Sequence, residues 1–419
     1  MNIFAQKNLH TPVVILTILT FAMLPIYLLP SGGFQFVDVI IILLSLATLI
    51  AVNVSEIQIG IYLIGPFIPF VSWAVIVNSY YSMETISKGG YFLTLIQLIF
   101  GFYIVFLFSI VFNRIFSNPK GVFYLYWSLL VSCITPWLIE AKGGTVRNAL
   151  SFNNPNQLAY YAILIISMLI LINYANTETR NKKAMYWILN IIILMFSNVF
   201  VMVSVSRAGL AVIILLDIYL FYKLLGKYKK SFFVPVTMLV ITSIVIMQSD
   251  AVFNMKSLND PTQTQYTQSM AARFTSYDIK ASLYKRILGH VKEQNKFEVI
   301  LGRGGDKGRF GEIGIGESTI GQEAHNMITE IFDSYGMIGI VLFLGGSIFF
   351  FIRLGNFPYK WFFFMSLLLF NMLHNGIRFR CMWVSIALVS IVSFIIYKRQ
   401  ADKYYQLSEL QPLNQNCKP

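Results

Sequence analysis

The chain has 419 residues, of which 56% are hydrophobic and 12% are charged, and its mean hydropathy is +0.65. A soluble globular domain carries about 25% charged residues, so this composition excludes that class and indicates a polytopic membrane protein. The net charge of +13 does not indicate a nucleic-acid partner, because the basic residues concentrate in short segments between apolar runs, as membrane topology requires. Cys133, Cys381 and Cys417 lack the spacing of a disulfide framework or a metal site.

Apolar runs of about 20 residues cross the hydrocarbon core as helices, and the sequence predicts about twelve of them. From the N-terminus they cover residues 12–30, 34–52, 57–78, 91–112, 121–139, 157–175, 185–205, 208–226, 231–248, 336–354, 360–377 and 381–397. The first run lacks a small-residue cleavage site, so we interpret it as a span and not as a signal peptide. The predicted organisation is spans 1–9 within residues 1–248, a polar loop domain at 249–335, spans 10–12 within 336–398 and a cytoplasmic tail at 399–419, expected to be disordered from residue 404.

The distribution of basic residues predicts the orientation of these spans. Five segments rich in Lys and Arg fall on the same side if both termini are cytoplasmic, namely residues 113–120, 180–183, 223–230, 353–360 and 398–403. This orientation places the polar loop on the outer face, together with residues 140–157, 206–207 and 374–380. Because ATP and nucleotide sugars are absent from that side, chemistry there requires a substrate that arrives already activated, and a lipid-borne substrate fits.

Arg207 stands between two apolar runs, at the outer start of the predicted eighth span. A cation at a helix N-terminus is unfavourable by itself, because the helix dipole already places positive charge there. The position becomes favourable when an anion binds as well, since backbone N–H groups and the guanidinium then converge on one phosphate. Ser206 is expected to cap this helix. The alternative is an arginine that only extends to the membrane interface.

The segment Phe152-Asn153-Asn154-Pro155-Asn156-Gln157 opens the predicted sixth span. Asn before Pro marks a turn, and Asn156 is suited to cap the helix that follows. A turn with a cap explains the segment without any function. The alternative is a glycan site, in which the amides of Asn153 and Asn156 contact sugar hydroxyls at the membrane surface.

Two segments of the polar loop have recognisable patterns. Apolar residues recur at helical spacing from Ser269 to Lys296, which predicts an amphipathic helix with Arg273 at its start, where an anion would again be favourable. Residues 300–305 form a glycine turn, Ile-Leu-Gly-Arg-Gly-Gly, that lacks the Gly-Lys-Ser/Thr ending of a nucleotide-binding P-loop. A plain flexible turn is the simplest interpretation of this segment.

His325 is the strongest candidate for a catalytic group in the loop. A neutral imidazole can accept a proton from a hydroxyl at neutral pH. Asn326 and Glu330 follow it, four residues apart on one helical face. A capping or core histidine is the alternative. A metal site is disfavoured, because His290 is the only other histidine in the loop.

A second basic patch is predicted near the outer start of the last span. It consists of His374, Arg378 and Arg380 within seven residues. The alternative is that these side chains extend to the membrane interface and bind nothing.

Together these motifs resemble the O-antigen polymerase/ligase family, the Wzy and WaaL type of bacterial envelope glycosyltransferase. The resemblance runs from about Asn153 to Gly339 and depends on the order of short motifs on one side of the membrane. They are Asn-Pro-Asn at 154–156, Ser-Arg-Ala-Gly at 206–209, Ala-Arg at 272–273, Leu-Gly-x-Gly at 301–304, His-Asn at 325–326 and Tyr-Gly-Met-Ile-Gly at 335–339. Arg303, between the two glycines, departs from the family pattern, which more often has an apolar residue there.

The resemblance implies a GT-C-type fold, in which a polytopic helical membrane domain carries a small helical periplasmic domain. It also implies a polyprenyl-diphosphate-linked glycan as donor, with no metal and no other cofactor. By motif, Arg207 and Arg273 are expected to bind the donor diphosphate, and His325 to be the base that acts on the acceptor hydroxyl. Arg303, which departs from the family pattern, is expected to add either a third diphosphate contact or none. The glycan and acceptor site is expected to be shaped by Asn153, Asn156, Asn326, Glu330, His374 and Arg378.

The expected protein is therefore a metal-independent glycosyltransferase of the bacterial inner membrane, with its active site on the periplasmic face. The leading hypothesis is an O-antigen or capsule polymerase that transfers a lipid-linked glycan to a hydroxyl of a lipid-linked repeat unit. The alternative is an O-antigen ligase, whose acceptor is lipid A–core. A lipid-linked sugar flippase fits less well, because transporters keep polar residues near the bilayer midplane. Expected partners are the lipid-linked donor and acceptor, membrane lipids, a chain-length regulator and a flippase, but not nucleic acid.

Overall fold

The computed structural model describes a bundle of helices. The described residues are 11–28, 34–50, 52–84, 91–118, 120–138, 149–152, 155–178, 184–204, 206, 209–210, 212–217, 296–304, 327–355, 360–373, 376–377 and 379–410. Over these ranges the chain forms helices and turns and no strand, which confirms the predicted all-α class.

The helices alternate with short connections. They are α1 Thr11–Met23, α2 Phe36–Leu49, α3 Val54–Ile64, α4 Ile68–Glu84, α5 Tyr91–Ser117, α6 Gly121–Ile134, α7 Pro155–Glu178, α8 Ala184–Ser204, α9 Lys296–Leu301, α10 Met327–Arg353, α11 Lys360–Leu373 and α12 Arg380–Leu410. A 3₁₀ turn at Gly65–Phe67 joins α3 to α4, and another at Thr135–Leu138 extends α6. Residues 209–210 and 212–217 are also helical.

Six helical segments in the described part of the chain are long and apolar enough to cross a membrane. They are Val54–Tyr81, Leu95–Ser117, Gly121–Leu138, Pro155–Asn176, Met327–Arg353 and Arg380–Lys398. Shorter apolar helices lie at Thr11–Met23, Phe36–Leu49 and Ile188–Ser204. Most of the predicted span 208–226, all of the span 231–248 and most of the loop domain lie outside the described residues. The chain therefore has the character of an all-helical membrane protein.

The last membrane helix extends further than the sequence suggested. α12 continues through Leu410, so the expectation of disorder from residue 404 is wrong for residues 404–410. This segment contains neither Gly nor Pro before Pro412, and Gln, Leu and Glu are good helix formers. The helix of the final span therefore continues past the apolar residues into the tail.

Helix α7 forms the centre of the bundle. It packs against α6, α8, α11 and α12, and every residue from Leu158 to Ile166 is 0% exposed. A membrane helix that is apolar on all sides can face either lipid or other helices. The composition of α7 therefore permits its central position, and the packing of its neighbours sets it.

A buried ion pair closes one end of the bundle. Arg114 at the end of α5 donates from Nε to Glu56 Oε1 at 3.0 Å and from Nη2 to Glu56 Oε2 at 2.8 Å. Its Nη1 donates to the carbonyl of Thr48 at 3.2 Å. The end of α2, the start of α3 and the end of α5 thus meet at one place, which we call the inner end. This is the arrangement expected if residues 50–53 and 113–120 lie on one side of the membrane.

Candidate functional site

Three chain segments that the charge pattern assigns to the outer face meet at the opposite end of the bundle, the outer end. The segment after α1 pairs with the segment before α7, because Tyr27 N donates to the Ser151 carbonyl at 3.1 Å and Ser151 Oγ donates to the Pro25 carbonyl at 2.6 Å. The ring centroid of Phe379, just before α12, lies 5.9 Å from that of Tyr27 and 6.1 Å from that of Phe152. These turns therefore form one packed surface.

Arg380, the first residue of α12, is fixed in the interior of this surface. Its Nε donates to Asp38 Oδ1 at 3.0 Å and its Nη2 to Asp38 Oδ2 at 2.9 Å. Asp38 Oδ2 also accepts the backbone N–H of Gln35 at 2.8 Å, and both charged residues are buried. The prediction that Arg380 belongs to an outer basic patch is therefore wrong, because its charge is already paired with a carboxylate inside the protein. The other two members of that patch, His374 and Arg378, lie outside the described residues.

Asn371 holds the segment that leads into α12 against the start of α7. Its Nδ2 donates to Tyr160 Oη at 3.0 Å, and its Oδ1 accepts the backbone N–H of Gly376 at 3.0 Å. A Cβ on Gly376 would lie 2.7 Å from Tyr160 Oη, so this close approach requires glycine. Sequence reasoning did not single out Asn371 or Tyr160. The available signal was a lone amide within the apolar run of α11, since polar residues in membrane helices generally have partners.

The helix after Ser206 begins at the same place. Gly209 N donates to Ser206 Oγ at 3.3 Å and Leu210 N to the Ser206 carbonyl at 2.8 Å, which is the geometry of an N-cap. The predicted capping role of Ser206 is thereby confirmed. A Cβ on Gly209 would lie 2.6 Å from Ala159 Cβ, so this helix start contacts the first turns of α7. The half-buried Asn156 lies one turn earlier on α7.

The glycine turn after α9 is docked on a kink in α10. Gly336 has φ +67° inside α10 and interrupts the helix there. Because the kink breaks the helical hydrogen-bond ladder, nearby carbonyls accept other donors. Arg303 N donates to the Asp333 carbonyl at 3.1 Å and Gly304 N to the Ser334 carbonyl at 2.9 Å. The interpretation of residues 300–305 as a plain flexible turn is therefore wrong for the described part of it.

Residues 300–304 and 333–336 together form what we call the glycine clasp. Helix α4 packs beside the clasp and donates two hydrogen bonds to it. Trp73 Nε1 donates to the Tyr335 carbonyl at 2.9 Å, and Tyr81 Oη donates to the Gly302 carbonyl at 2.8 Å. A Cβ on Gly302, whose φ is +90°, would overlap the Tyr335 backbone, and a Cβ on Gly336 would overlap the Ile300 carbonyl. The clasp thus ties the end of the polar loop to the membrane helices.

Two predicted site residues lie at or near the clasp. The guanidinium of Arg303 is partly exposed, and its Nε lies 3.2 Å from Glu298 Oε2 as an ion pair without hydrogen-bond geometry. The positive charge of Arg303 is therefore partly offset by α9. Glu330 is buried in the first turn of α10, where a carboxylate interacts favourably with the helix dipole.

An apolar groove connects the start of α10 with Asn371. Met327, two residues after His325 in the sequence, lines this groove together with Asn371, Met382 and Trp383. The start of α10 therefore lies at the same groove as the residue that fixes Gly376 and Tyr160. The start of α7, the helix capped by Ser206 and the segment before α12 thus contact one another at the outer end, and Met327 shares the groove with Asn371.

Three of the ten predicted site residues lie in the described part of the chain. Outside the described residues lie Asn153, Arg207, Arg273, His325, Asn326, His374 and Arg378. Asn156, Arg303 and Glu330 are described, and they lie on α7, on the glycine clasp and on α10.

Comparison with known proteins adds no assignment. A scan against protein-family models found no family that matches this chain, and a search of curated proteins found no match. The functional interpretation therefore depends on the motifs and on the geometry of the outer end.

Proposed function

We propose that this protein is an inner-membrane polysaccharide polymerase. In this proposal it transfers a polyprenyl-diphosphate-linked glycan onto a hydroxyl of a lipid-linked repeat unit at the periplasmic face. The proposal includes about twelve membrane spans in a GT-C-type arrangement, of which the six long apolar helices are a part. The product is an O-antigen or capsule chain.

The observation that carries the proposal is the convergence of helix starts at the outer end. The start of α7 contacts the helix capped by Ser206 through Ala159 and Gly209, and it contacts the segment before α12 through Tyr160 and Gly376. Met327 at the start of α10 and Asn371 both line the apolar groove. The start of α7 contains Asn156. The helix capped by Ser206 follows Arg207 in the sequence, the segment before α12 flanks Arg378, and α10 begins two residues after His325. The nearness of these described segments supports a site built from motifs that are scattered over more than half the chain.

Helix starts are suited to the proposed donor. Backbone N–H groups and the dipole at a helix N-terminus attract a phosphate, and arginine binds phosphate oxygens with two parallel hydrogen bonds. In the proposal Arg207 and Arg273 hold the donor diphosphate, and Arg303 contributes at the edge of the site. The arginines offset the charge that develops on the departing diphosphate, which is the task of a divalent cation in nucleotide-sugar transferases.

The proposed reaction is a single displacement. The acceptor hydroxyl oxygen forms a bond to the anomeric carbon, the bond from that carbon to the diphosphate oxygen breaks, and His325 takes the hydroxyl proton. The polyprenyl diphosphate leaves with the electron pair. Because diphosphate is a good leaving group, no general acid is required.

The experiment that tests this proposal is replacement of His325 and of Arg207 by Ala in the native strain, with surface glycan analysed on a gel. Loss of a catalytic base typically lowers the rate about 10²–10⁴-fold, so the polymer ladder should disappear. The expected residual product is lipid A–core that carries one repeat unit. Two matched controls, His290→Ala in the same loop and Arg180→Ala in an inner segment, should keep the ladder.

Two outcomes would contradict the polymerase. Bare lipid A–core with polymer accumulating on the carrier lipid would assign the ligase reaction to the same site. Unchanged ladders in both variants, at normal protein levels, would exclude the proposed chemistry altogether.

A further inference from the structure

A second feature of the groove lies at its inner end. The groove runs between α10 and α11, and apolar side chains such as Phe343, Phe350, Phe364 and Leu367 line it. Lys360, the first residue of α11, also lines it and is only 9% exposed. The groove therefore has a mostly apolar lining and one buried lysine.

Lys360 has no carboxylate partner among the described residues. Its Nζ donates to the Gly355 carbonyl at 2.9 Å and lies 4.2 Å from the centroid of the Phe351 ring. An ammonium carries three N–H donors, so two remain for another acceptor. The other buried cations of the described chain, Arg114 and Arg380, are each paired with a carboxylate. Lys360 differs from them because its charge is offset only by a carbonyl and a ring.

Arg353 adds a second positive charge at the same end. Its guanidinium lies 4.3 Å from the ring centroid of Tyr62 and 4.7 Å from that of Phe349, and it donates to the Tyr62 carbonyl. That carbonyl has no helical donor because Pro66, four residues later, has no N–H. Arg353 is thus fixed beside α3 with a charge that no carboxylate in the described residues neutralises.

We propose that the groove binds an anionic phospholipid of the inner leaflet. One acyl chain lies along the groove, and the phosphate accepts hydrogen bonds from Lys360 in the field of Arg353. Basic pockets between membrane helices on the cytoplasmic side are suited to anionic headgroups. The positive charge of residues 353–360 lies on the cytoplasmic side in the orientation that the basic segments predict.

The length and polarity of the groove favour a phospholipid over the polyprenyl carrier. From Lys360 to Asn371, α11 rises about 16 Å at roughly 1.5 Å per residue, and an extended acyl chain has about this length, since two chains end to end fill a hydrocarbon core of roughly 30 Å. This matches an acyl chain of one leaflet. A carrier lipid at the outer face would have its phosphates at the other end of the groove, where the described lining has the uncharged Asn371 and Met327.

The test is lipid binding to the purified full-length protein, measured by native mass spectrometry with phosphatidylglycerol or phosphatidylcholine. Wild type is expected to retain phosphatidylglycerol in preference to phosphatidylcholine. Lys360→Gln should weaken phosphatidylglycerol binding about fivefold, the effect of one basic residue near an anionic lipid. The glutamine amide can still donate to the Gly355 carbonyl, so the fold is preserved.

Two further variants separate the effect of the Lys360 charge from that of the groove itself. Lys120→Gln removes the same charge from an exposed position at the inner end and should leave binding unchanged. Ser347→Phe fills the groove while it keeps Lys360, and should also lose the lipid.

Three results would overturn the proposal. They are equal retention of both lipids, an equal loss in the Lys360 and Lys120 variants, and displacement of phosphatidylglycerol by polyprenyl phosphate in wild type. The last would assign the groove to the carrier lipid. Binding is measured without turnover, so the result does not depend on the proposed glycosyl transfer.

Discussion

The buried ion pair between Arg380 and Asp38 fixes the start of α12 against the start of α2 at the outer end. Removing two charges from water costs several kcal/mol per ion, and their attraction offsets this cost only when the geometry is good and the remaining groups are hydrogen-bonded. Here the contact is bidentate, and Gln35 N supplies a further donor to the carboxylate. The pair therefore fixes α12 against α2, and Arg380 is not available to a substrate.

The first stability prediction concerns this pair. Arg380→Met leaves the carboxylate of Asp38 buried without its cation, and Asp38→Leu leaves the guanidinium alone. Each single variant should destabilise the protein by about 3–5 kcal/mol, seen as a lower apparent melting temperature in detergent. The double variant should be more stable than either single variant, because no uncompensated charge remains. If all three variants melt like wild type, the pair does not stabilise the outer end.

At the scale of elements, the glycine clasp is the most restrictive feature of the described chain. Gly302 and Gly336 both have positive φ; a Cβ on Gly336 would overlap Ile300 and Gly302 N, and a Cβ on Gly302 would overlap the backbone of Ser334 and Tyr335. The kink at Gly336 turns the first part of α10 away from the axis of the rest and presents carbonyls to Arg303 N and Trp73 Nε1. The clasp therefore sets the direction of the first turns of α10, which begins at Met327.

The prediction at this scale compares two glycines of α10. Gly336→Ala introduces a side chain at φ +67° and ψ −168°, a backbone conformation essentially restricted to glycine that costs about 1–3 kcal/mol before any overlap, and the Cβ would overlap the Ile300 carbonyl. Gly345→Ala is the matched control, because no atom lies within 4 Å of its Cβ position. Limited proteolysis of the loop at residues 305–326 should be faster in the Gly336 variant and unchanged or slower in the Gly345 variant. Equal cleavage in wild type and the Gly336 variant would mean that the clasp does not anchor the loop.

At the scale of the whole molecule, two buried ion pairs mark the two ends of the bundle. Arg114 and Glu56 join segments that the charge pattern assigns to the cytoplasmic side, and Arg380 and Asp38 join segments assigned to the outer side. The grouping of helix ends in space therefore agrees with the alternation of spans predicted from the basic residues. Both functional proposals use this orientation: glycosyl transfer at the outer end and phospholipid binding at the inner end.

The predicted membrane orientation can be tested by cysteine labelling. Cys133 and Cys381 are buried in the bundle, so a membrane-impermeant maleimide should react with Cys417 alone. In intact spheroplasts Cys417 should stay unlabelled and become labelled after permeabilisation. In a Cys417→Ser background, Thr264→Cys in the polar loop should be labelled in intact spheroplasts. Labelling of Cys417 without permeabilisation would reverse the orientation and remove the basis for a periplasmic site.

Much of the local structure follows from the sequence alone. Long apolar runs have no low-energy state in a membrane other than a helix, so the helices at residues 54–81, 95–117 and 155–176 were predictable from hydropathy. The N-cap at Ser206 was predictable in the same way, because capping is a local interaction between a side chain and the next turn. The extension of α12 to Leu410 was missed because polar residues with good helix propensity do not differ in hydropathy from a disordered tail.

The site depends on contacts between residues distant in sequence, and these only the tertiary structure decided. Nothing local distinguishes Arg380, which pairs with Asp38 in the interior, from an arginine at the membrane surface. The glycine pattern at 302–304 is compatible with a flexible turn until Gly336 is brought against it, because only that approach creates the hydrogen bonds of the clasp. Composition and short-range periodicity are sufficient to predict the membrane class, the described helices and the candidate motifs. The tertiary structure decided which cations are paired and which helix starts adjoin, since these depend on packing across the bundle.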